Sequence, residues 1–419
     1  MEKFLGYRCS LCNQEYGPDE LTYTCPKDGG NVDVVLDTAL IRKSCQISEI
    51  TGSQEPSLWR YLPLLPVSEP GGRGTPLHIA GYTPVFSLRT LAKKLGLSDL
   101  WIKDESRNPT ASFKDRASAV VVGRAREIHA EIVVTASTGN AGAALAGMSA
   151  SIGQEAIIFA PRTAPAAKIA QLLVYGSQVI LVDGNYDQAF DLSIEASHEF
   201  GWYCRNTGYN PFTAEGKKTA AFEIWETVLR PFIKNNPKNR RSLAIFIPVG
   251  DGNIISGIHK GFKDLQDIGW LDIMPRLFGV QAEGSASVYN TYFSGNELIQ
   301  PINAETIADS IAVDLPRDGV RAVRAARQTN GDYLTVKDDD ILKAISTLGS
   351  EGLFAEPAGA AAYAGLEKAV QNGLVDAADP ILVLNTGSGL KDIKAAMDAV
   401  QPAAVIEPTL GALKKFLKV

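Results

Sequence analysis

The feature that most limits what this chain can fold into is a repeated alternation of short apolar runs with amphipathic stretches. Apolar runs at 132–135, 156–160, 178–182, 202–204, 243–248, 277–282 and 381–385 are bounded by glycine or turn residues. Between them lie helical patterns from 140 onward, at 165–174, 186–199 and 254–265, near 317–328 and 340–348, and at 357–370. Strands that are apolar throughout are buried on both faces, and intervening helices supply the crossovers that parallel pairing requires. The pattern therefore predicts an α/β fold made of two units, each a parallel sheet covered on both faces. A helical stretch at 88–95 and a strand at 100–103 precede the series. With 419 residues, 45% of them hydrophobic and 21% charged, the chain is long enough for two or three domains around a large core.

Charge narrows the partners. A formal net charge of −6 argues against a general nucleic-acid or anionic-membrane binder, which needs a basic face. No window approaches the ~18 consecutive apolar residues of a membrane span, and the N-terminal residues lack the apolar core of a signal peptide. The expected location is the cytoplasm, and the expected partner is a small molecule.

Residues 108–116 read Asn-Pro-Thr-Ala-Ser-Phe-Lys-Asp-Arg. Asn108-Pro109 stops the preceding strand, Ser112 is a good N-cap, and Lys114 falls in the first turn of a helix carrying Ala117, Val120, Val121, Ala125 and Ile128. The positive end of a helix dipole disfavours an ammonium there, which favours the neutral amine that forms imines. By position alone, a solvated surface lysine fits the same place.

Three predicted strand ends carry unusual loops, and ligands of open α/β sheets bind beyond the carboxyl ends of strands. In Thr135-Ala-Ser137-Thr138-Gly-Asn140-Ala, small hydroxyl residues and an asparagine precede a helix N-terminus, whose outward N–H groups suit a carboxylate. In Pro248-Val-Gly250-Asp251-Gly252-Asn253-Ile254, two glycines let several N–H groups converge on an anion. Asp251 is awkward inside such a cradle, so its carboxylate is expected to turn away or cap a neighbouring amide. The third loop is Asn385-Thr386-Gly-Ser388-Gly-Leu-Lys-Asp. Glu356-Pro357 reads as a helix start with proline in the first position.

These segments, in this order, resemble those of the threonine synthases, within the fold type II pyridoxal phosphate (PLP) enzymes. The Asn-Pro-Thr-x-Ser-Phe-Lys-Asp-Arg wording, the Gly81-Tyr-Thr-Pro84 turn, the Ser-x-Gly-Asn loop and Thr-Gly-x-Gly-Leu-Lys-Asp carry the resemblance. It implies a tryptophan synthase β-like fold, two doubly wound sheets with PLP in the cleft between them. It makes Lys114 the Schiff-base lysine, with Phe113 beside the cofactor. Asn140 would contact the phenolic oxygen, and Gly250, Asp251, Gly252, Asn253 and Ile254 would hold the cofactor phosphate. Thr386, with Ser388 as the alternative, would face the pyridine nitrogen as a neutral hydroxyl. The implied activity is that of a lyase converting O-phospho-L-homoserine and water to L-threonine and phosphate, in a homo-oligomer, expected to be a dimer.

One departure concerns the substrate. Residues 206–219 resemble the family's substrate-phosphate region, but Thr213 stands where arginine is expected. The cation must then come from elsewhere, with Lys217 or Lys218 favoured, Arg205 second and Arg116 nearby, and with hydroxyls from Ser137, Thr138 and Thr207. The departure keeps open serine or threonine dehydration and β-replacement on phosphoserine; a non-catalytic binding protein is a remote alternative.

Of five cysteines, three crowd into the first 25 residues as Cys9-x-x-Cys12 and Cys25-Pro-Lys-Asp28. This is the layout of a zinc ribbon with Asp28 in the fourth ligand position, where Cys45 is the other candidate. A ribbon that has lost its metal is equally consistent. His78, His129, His198 and His259 are scattered singly and form no ligand spacing. The expected division is a ribbon-like segment at 1–40, a linker and wrapping arm at 41–80, and a catalytic region at 81–419. Within the last, a smaller subdomain spans roughly 115–205 and a larger one takes 81–114 and 206–419.

Overall fold

A computed structural model describes residues 2–419. Strands β1 (Phe4–Cys9), β2 (Glu15–Tyr16) and β3 (Val32–Leu36) form a small antiparallel sheet in the order β2-β1-β3. After β4 (Val85–Ser87) and β5 (Asp99–Asp104) come β6 (Ile132–Ala136), β7 (Glu155–Pro161), β8 (Gln178–Val182) and β9 (Tyr203–Cys204). These last four make a wholly parallel sheet in the order β8-β7-β6-β9. Finally β10 (Ala244–Pro248), β11 (Arg276–Ala282), β12 (Asp332–Val336) and β13 (Pro380–Asn385) join the earlier pair in a six-stranded sheet. Its order is β12-β11-β10-β13-β5-β4, parallel except at the edge strand β4.

Every residue of β10 and β13 is buried, as uniformly apolar central strands require. Strand order places the site. In the four-stranded sheet the chain leaves β6 for β7 and returns on the other side as β9; in the six-stranded sheet β10 lies between β11 and β13. Each is a switch point, where the connections on either side of a strand diverge and open a crevice at its carboxyl end. The loops after β6 and after β10 are two of the three singled out above.

The sequence pattern had no counterpart for the edge strands β4 and β12 or for the small sheet, whose residues mix polar with apolar. The 41–80 arm contains no long element, as its sequence implies, but it is part of the core. Leu58, Trp59, Tyr61, Leu64 and Leu65 are buried, and the Trp59 indole donates to the Leu77 carbonyl at 2.8 Å.

The helix Lys114–Glu127 begins at the lysine itself, preceded by Phe113 in helical conformation. Ser112 is not its cap. The backbone of Ser112 is held in an antiparallel bridge to Gly387, and its hydroxyl is buried without a partner. Asp115 closes the turn instead, accepting from the Thr110 amide at 2.6 Å and also from its hydroxyl. Ala111, at φ 62°, makes the sharp reversal into the helix. The stretch 386–388 is clamped on both sides. Phe113 N donates to Thr386 O at 2.8 Å and Ser388 N to Ala111 O at 3.1 Å, while Glu356 N donates to Gly387 O at 3.0 Å.

Candidate active site

Between the four-stranded and six-stranded sheets lies a cavity of about 440 Å³. Lys114 opens into it, with Ser137, Thr138 and Asn140 from the loop after β6, Arg205 and Thr207 from beyond β9, and Lys217 from the helix Phe212–Ile224. Gly250 to Ile254 line it from beyond β10, and Thr386 from the end of β13. Residues scattered over the chain thus converge on one amine.

Loss of hydration lowers the Lys114 pKa; Glu356 opposes that shift, Arg205 adds to it and Asp251 opposes it. The net direction favours a neutral, nucleophilic amine. Glu356, at the start of the helix Pro357–Gln371, accepts from Asn140 Nδ2 at 2.8 Å and from Thr386 Oγ1 at 3.4 Å. Burial raises its pKa, partly offset by the Asn140 hydrogen bond and the charge of Lys114. The plain helix start seen in the sequence therefore carries a carboxyl that ties Asn140 to Thr386.

Gly252 sits at φ 89° ahead of the helix Asn253–Asp267, and a Cβ there would lie 2.7 Å from both the Asp318 carbonyl oxygen and the Ala322 side chain. At Gly250 a Cβ would come within 2.9 Å of the Ile311 backbone. Only glycine lets the chain curl this tightly against its backing, which leaves the amides of a helix N-terminus facing the cavity. Asp251 turns its carboxylate onto the Arg317 amide, which donates at 3.3 Å.

The four candidate cations separate. Lys217 Nζ donates to Asn253 Oδ1 at 2.5 Å, so its amine sits beside the glycine loop. Burial pushes its pKa well down, and the neighbouring charges of Lys114 and Arg205 add to that. Arg205 is fully buried; Nε donates to Ser118 Oγ at 3.1 Å, Nη1 to Thr207 Oγ1 at 2.9 Å, and Nη2 has no partner. Burial lowers its pKa to about 10. A buried guanidinium with an unsatisfied donor beside a cavity invites an anion.

Lys218 lies outside the cavity, contrary to expectation. Its ammonium is 2.5 Å from Glu215 and 2.7 Å from Asp264. Consecutive residues on a helix point about 100° apart, so Lys217 and Lys218 cannot both face the cleft. Arg116 is also excluded, because its guanidinium is held at 2.7 Å by Glu105 and 2.5 Å by Glu223 in the core. Phe113 is fully buried and packs in the core, beneath Arg116, without lining the cavity. Thr213 donates to Asn210 O at 2.7 Å and to Asn253 Oδ1 at 3.2 Å, so it braces Asn253 rather than meeting a ligand. Sequence reasoning missed Tyr186, Ser310 and Arg317, which also line the cavity. Ser310 lies in a stretch with no periodic pattern, and Arg317 stands at the very start of the helical pattern near 317–328, where nothing marked it as a site residue.

The donor set fits PLP: a free amine, a glycine cradle backed by a cation for the phosphate, and a hydroxyl, Thr386, for the ring nitrogen. A second cluster lies on the small sheet. Ligand atoms of Cys9, Cys12, Cys25 and Asp28 all fall within 4.8 Å of one another. Cys45 is not among them; its thiol faces the Gln46 carbonyl in a separate part of the core.

Residues 77–387 match the family described as "Pyridoxal-phosphate dependent enzyme". The chain is 36% identical to a threonine synthase of Methanocaldococcus jannaschii, over 98% of this chain and 99% of that one. It is 35% identical to a threonine synthase of Methanosarcina acetivorans, over 98% of each. Among solved structures it is similar in fold to processed threonine deaminase isoform 2 of Solanum lycopersicum, with a TM-score of 0.63, 24% identity, and coverage of 82% of this chain and 94% of that one. Diaminopropionate ammonia lyase of Escherichia coli aligns with a TM-score of 0.64 at 18% identity, over 83% of this chain and 93% of that one. The similarity to these relatives runs along nearly the whole chain, which belongs to the pyridoxal-phosphate dependent enzymes and, within them, to the threonine synthase family.

Proposed function

We propose that the protein is a threonine synthase, converting O-phospho-L-homoserine and water to L-threonine and phosphate. The observation that carries this reading is the presence of two separate anion-ready sets around Lys114: the glycine loop with Lys217, and Arg205 with Thr207. A phosphorylated substrate on a phosphorylated cofactor needs two.

When bound, PLP supplies an electron sink for charge developing at Cα and, by extension, at Cβ of an amino acid. The protein supplies the rest. Lys114 Nζ, with its lowered pKa, takes protons from Cα and Cβ and returns them at Cγ, once the phosphate has left, and at Cα. The N-terminal amides of the helix beginning at Asn140, with the Ser137 and Thr138 hydroxyls, receive the substrate carboxylate. Arg205 and Thr207 hold the substrate phosphate as the Cγ–O bond breaks, and water then adds at Cβ. Lys217 neutralises the cofactor phosphate on the glycine loop, which leaves Arg205 as the substitute for the arginine missing at position 213.

Arg205→Ala should raise KM for O-phosphohomoserine roughly tenfold or more, the scale of one charge-assisted contact, with the absorbance of bound PLP unchanged. Steady-state phosphate release measures it. An unchanged KM, with ketoacid formed from serine or threonine, would favour the dehydratase reading instead.

A structural zinc at Cys9, Cys12, Cys25 and Asp28 belongs to the same reading. Cys12 Sγ and Cys25 Sγ are 3.8 Å apart, near the ~3.75 Å edge of a tetrahedron with Zn–S bonds of ~2.3 Å. Cys9 Sγ lies 3.3 and 3.6 Å from the two Asp28 oxygens, and the Leu11 amide points at Cys9 Sγ from 3.3 Å. Elemental analysis of protein purified without added metal should find close to one equivalent of zinc, falling to background in Cys12→Ser; background metal in the wild type removes the proposal. The enzyme is further read as a cytoplasmic homo-oligomer, a dimer. Exposed Leu390, Ile393, Met397 and Val400 on one segment support a subunit contact.

A further inference from the structure

The small N-terminal sheet touches the cavity's supports at two places. At the first, Arg321 on the helix Gly319–Gln328 donates from Nη1 to Asp33 Oδ1 of β3 at 2.6 Å. The same guanidinium holds Asp318 through Nε at 2.6 Å and Nη2 at 2.8 Å. Asp318 in turn accepts from Asn253 Nδ2 at 2.6 Å, and Asn253 Oδ1 accepts from Lys217 Nζ at 2.5 Å. At the second, the Asn31 amide donates to the Arg317 carbonyl at 3.0 Å and to the Gly208 carbonyl. Residues 317 and 318 grip the glycine loop directly, since the Asp318 amide donates to the Asp251 carbonyl at 2.9 Å.

Each link has a reason to be occupied. Asp318 is fully buried, so its charge requires the guanidinium. Asn253 has its amide orientation set by partners at both ends, the Asp318 carboxylate on Nδ2 and the Lys217 amine with the Thr213 hydroxyl on Oδ1. If Asp318 is displaced, the Asn253 amide can rotate and the Lys217 ammonium loses its acceptor. The chain of contacts therefore transmits position, and its outer end lies on the small sheet rather than in the catalytic core.

We propose that Arg321, seated on Asp33 of the small N-terminal sheet, is a positioning residue for the cofactor-phosphate site, fixing Lys217 through Asp318 and Asn253. The inference rests on the reading of Lys217 as the cation of that phosphate. It gives the small sheet a task in cofactor retention that requires no contact with any ligand. Strand β1 links this task to the cysteine cluster, because Cys9 pairs with Val32 and Arg8 with Asp33 across the same two strands.

The test is a double-mutant cycle read by PLP affinity, measured by absorbance titration of protein freed of cofactor, with no turnover involved. Lys217→Ala alone should weaken binding roughly tenfold. Arg321→Ala should weaken it by a similar factor, and Arg321→Lys should recover part of the loss. In the double variant the two losses should not multiply, because both remove the same positioned ammonium. Losses that multiply, or normal affinity in Arg321→Ala, would overturn the proposal. Normal affinity in Lys217→Ala would instead remove the assignment of Lys217 on which it rests. Should Arg321→Ala fail to fold, Asp33→Asn carries the same expectation from the exposed end of the chain: about threefold weaker binding in the wild-type background and none in the Lys217→Ala background, with an equal effect in both overturning it.

Discussion

Replacing Lys114 by alanine is expected to lower turnover on the order of a thousandfold or more, the scale of losing a positioned acid–base group, and to abolish covalent attachment of the cofactor. Three features set the size of the effect. The amine is the one cavity lysine with no side-chain partner among the described residues, whereas Lys217 is bound to Asn253. Its pKa is lowered by burial and by Arg205, which favours the neutral amine. Its position at the first residue of the helix Lys114–Glu127 gives a lysine introduced elsewhere no route to the same point. Hydride reduction of the wild type should fix PLP on the peptide containing Lys114, and peptide mapping checks it. Turnover retained in Lys114→Ala, or label on another lysine, would end the assignment.

The second large effect is on stability. Glu223→Ala should destabilise the protein by about 3–5 kcal/mol, the range for removing one partner from a buried ionic network. Glu223 is 2.7 Å from Lys103 Nζ and 2.5 Å from Arg116 Nη1, and it also accepts from the Tyr82 amide at 2.7 Å. Its loss leaves two buried cations with Glu105 alone, at 3.8 Å from Lys103 and 2.7 Å from Arg116. Burial alone would raise the Glu223 pKa, but Arg116 and Lys103 overcome this and hold it at about 2 against an ordinary 4.5. A lowered folded-state pKa stabilises above the unfolded value and loses that contribution as pH falls through the folded one. Wild-type stability should therefore fall between about pH 4.5 and 2, and Glu223→Gln should show less of that fall because it no longer titrates there. Urea unfolding at several pH values measures both; an acid limb of the same depth in the variant would refute the role given to Glu223.

How much of this was legible beforehand depended on whether a residue's task was local. The parallel strands and their helices were readable because burial on both faces writes itself as an apolar run, as in β10 and β13. Lys114, Asn140 and the glycine loop were readable because each sits at a strand end or helix start whose backbone geometry limits the residue choice. Ser112 misled because a serine ahead of a helix is a good cap only if its own backbone is free, and here a bridge to Gly387 holds it. Lys217 and Lys218 were not separable until the helix start at Phe212 fixed which of them faces the cleft. Arg116 and Glu223 lie 107 positions apart, and nothing local announces that each is the other's counter-ion. Arg317 owes its place to packing between distant segments, which a single sequence does not display.

The clamp on 386–388 has a consequence for the precision of the site. Lys114, Glu356 and Thr386 stand on three segments distant in sequence, yet main-chain hydrogen bonds of 2.8 to 3.1 Å stitch those segments into one narrow ribbon of backbone. The spacing of the amine, the carboxyl and the hydroxyl is then set by these few main-chain contacts rather than through the whole of the fold. Gly387 sits in the seam, where a Cβ would fall 2.5 Å from the Glu356 carboxyl and push that carboxyl from its place beside Asn140 and Thr386. The amine, the carboxyl and the hydroxyl are thereby carried on a common frame, while Arg205 is anchored separately, beyond β9 on the other sheet.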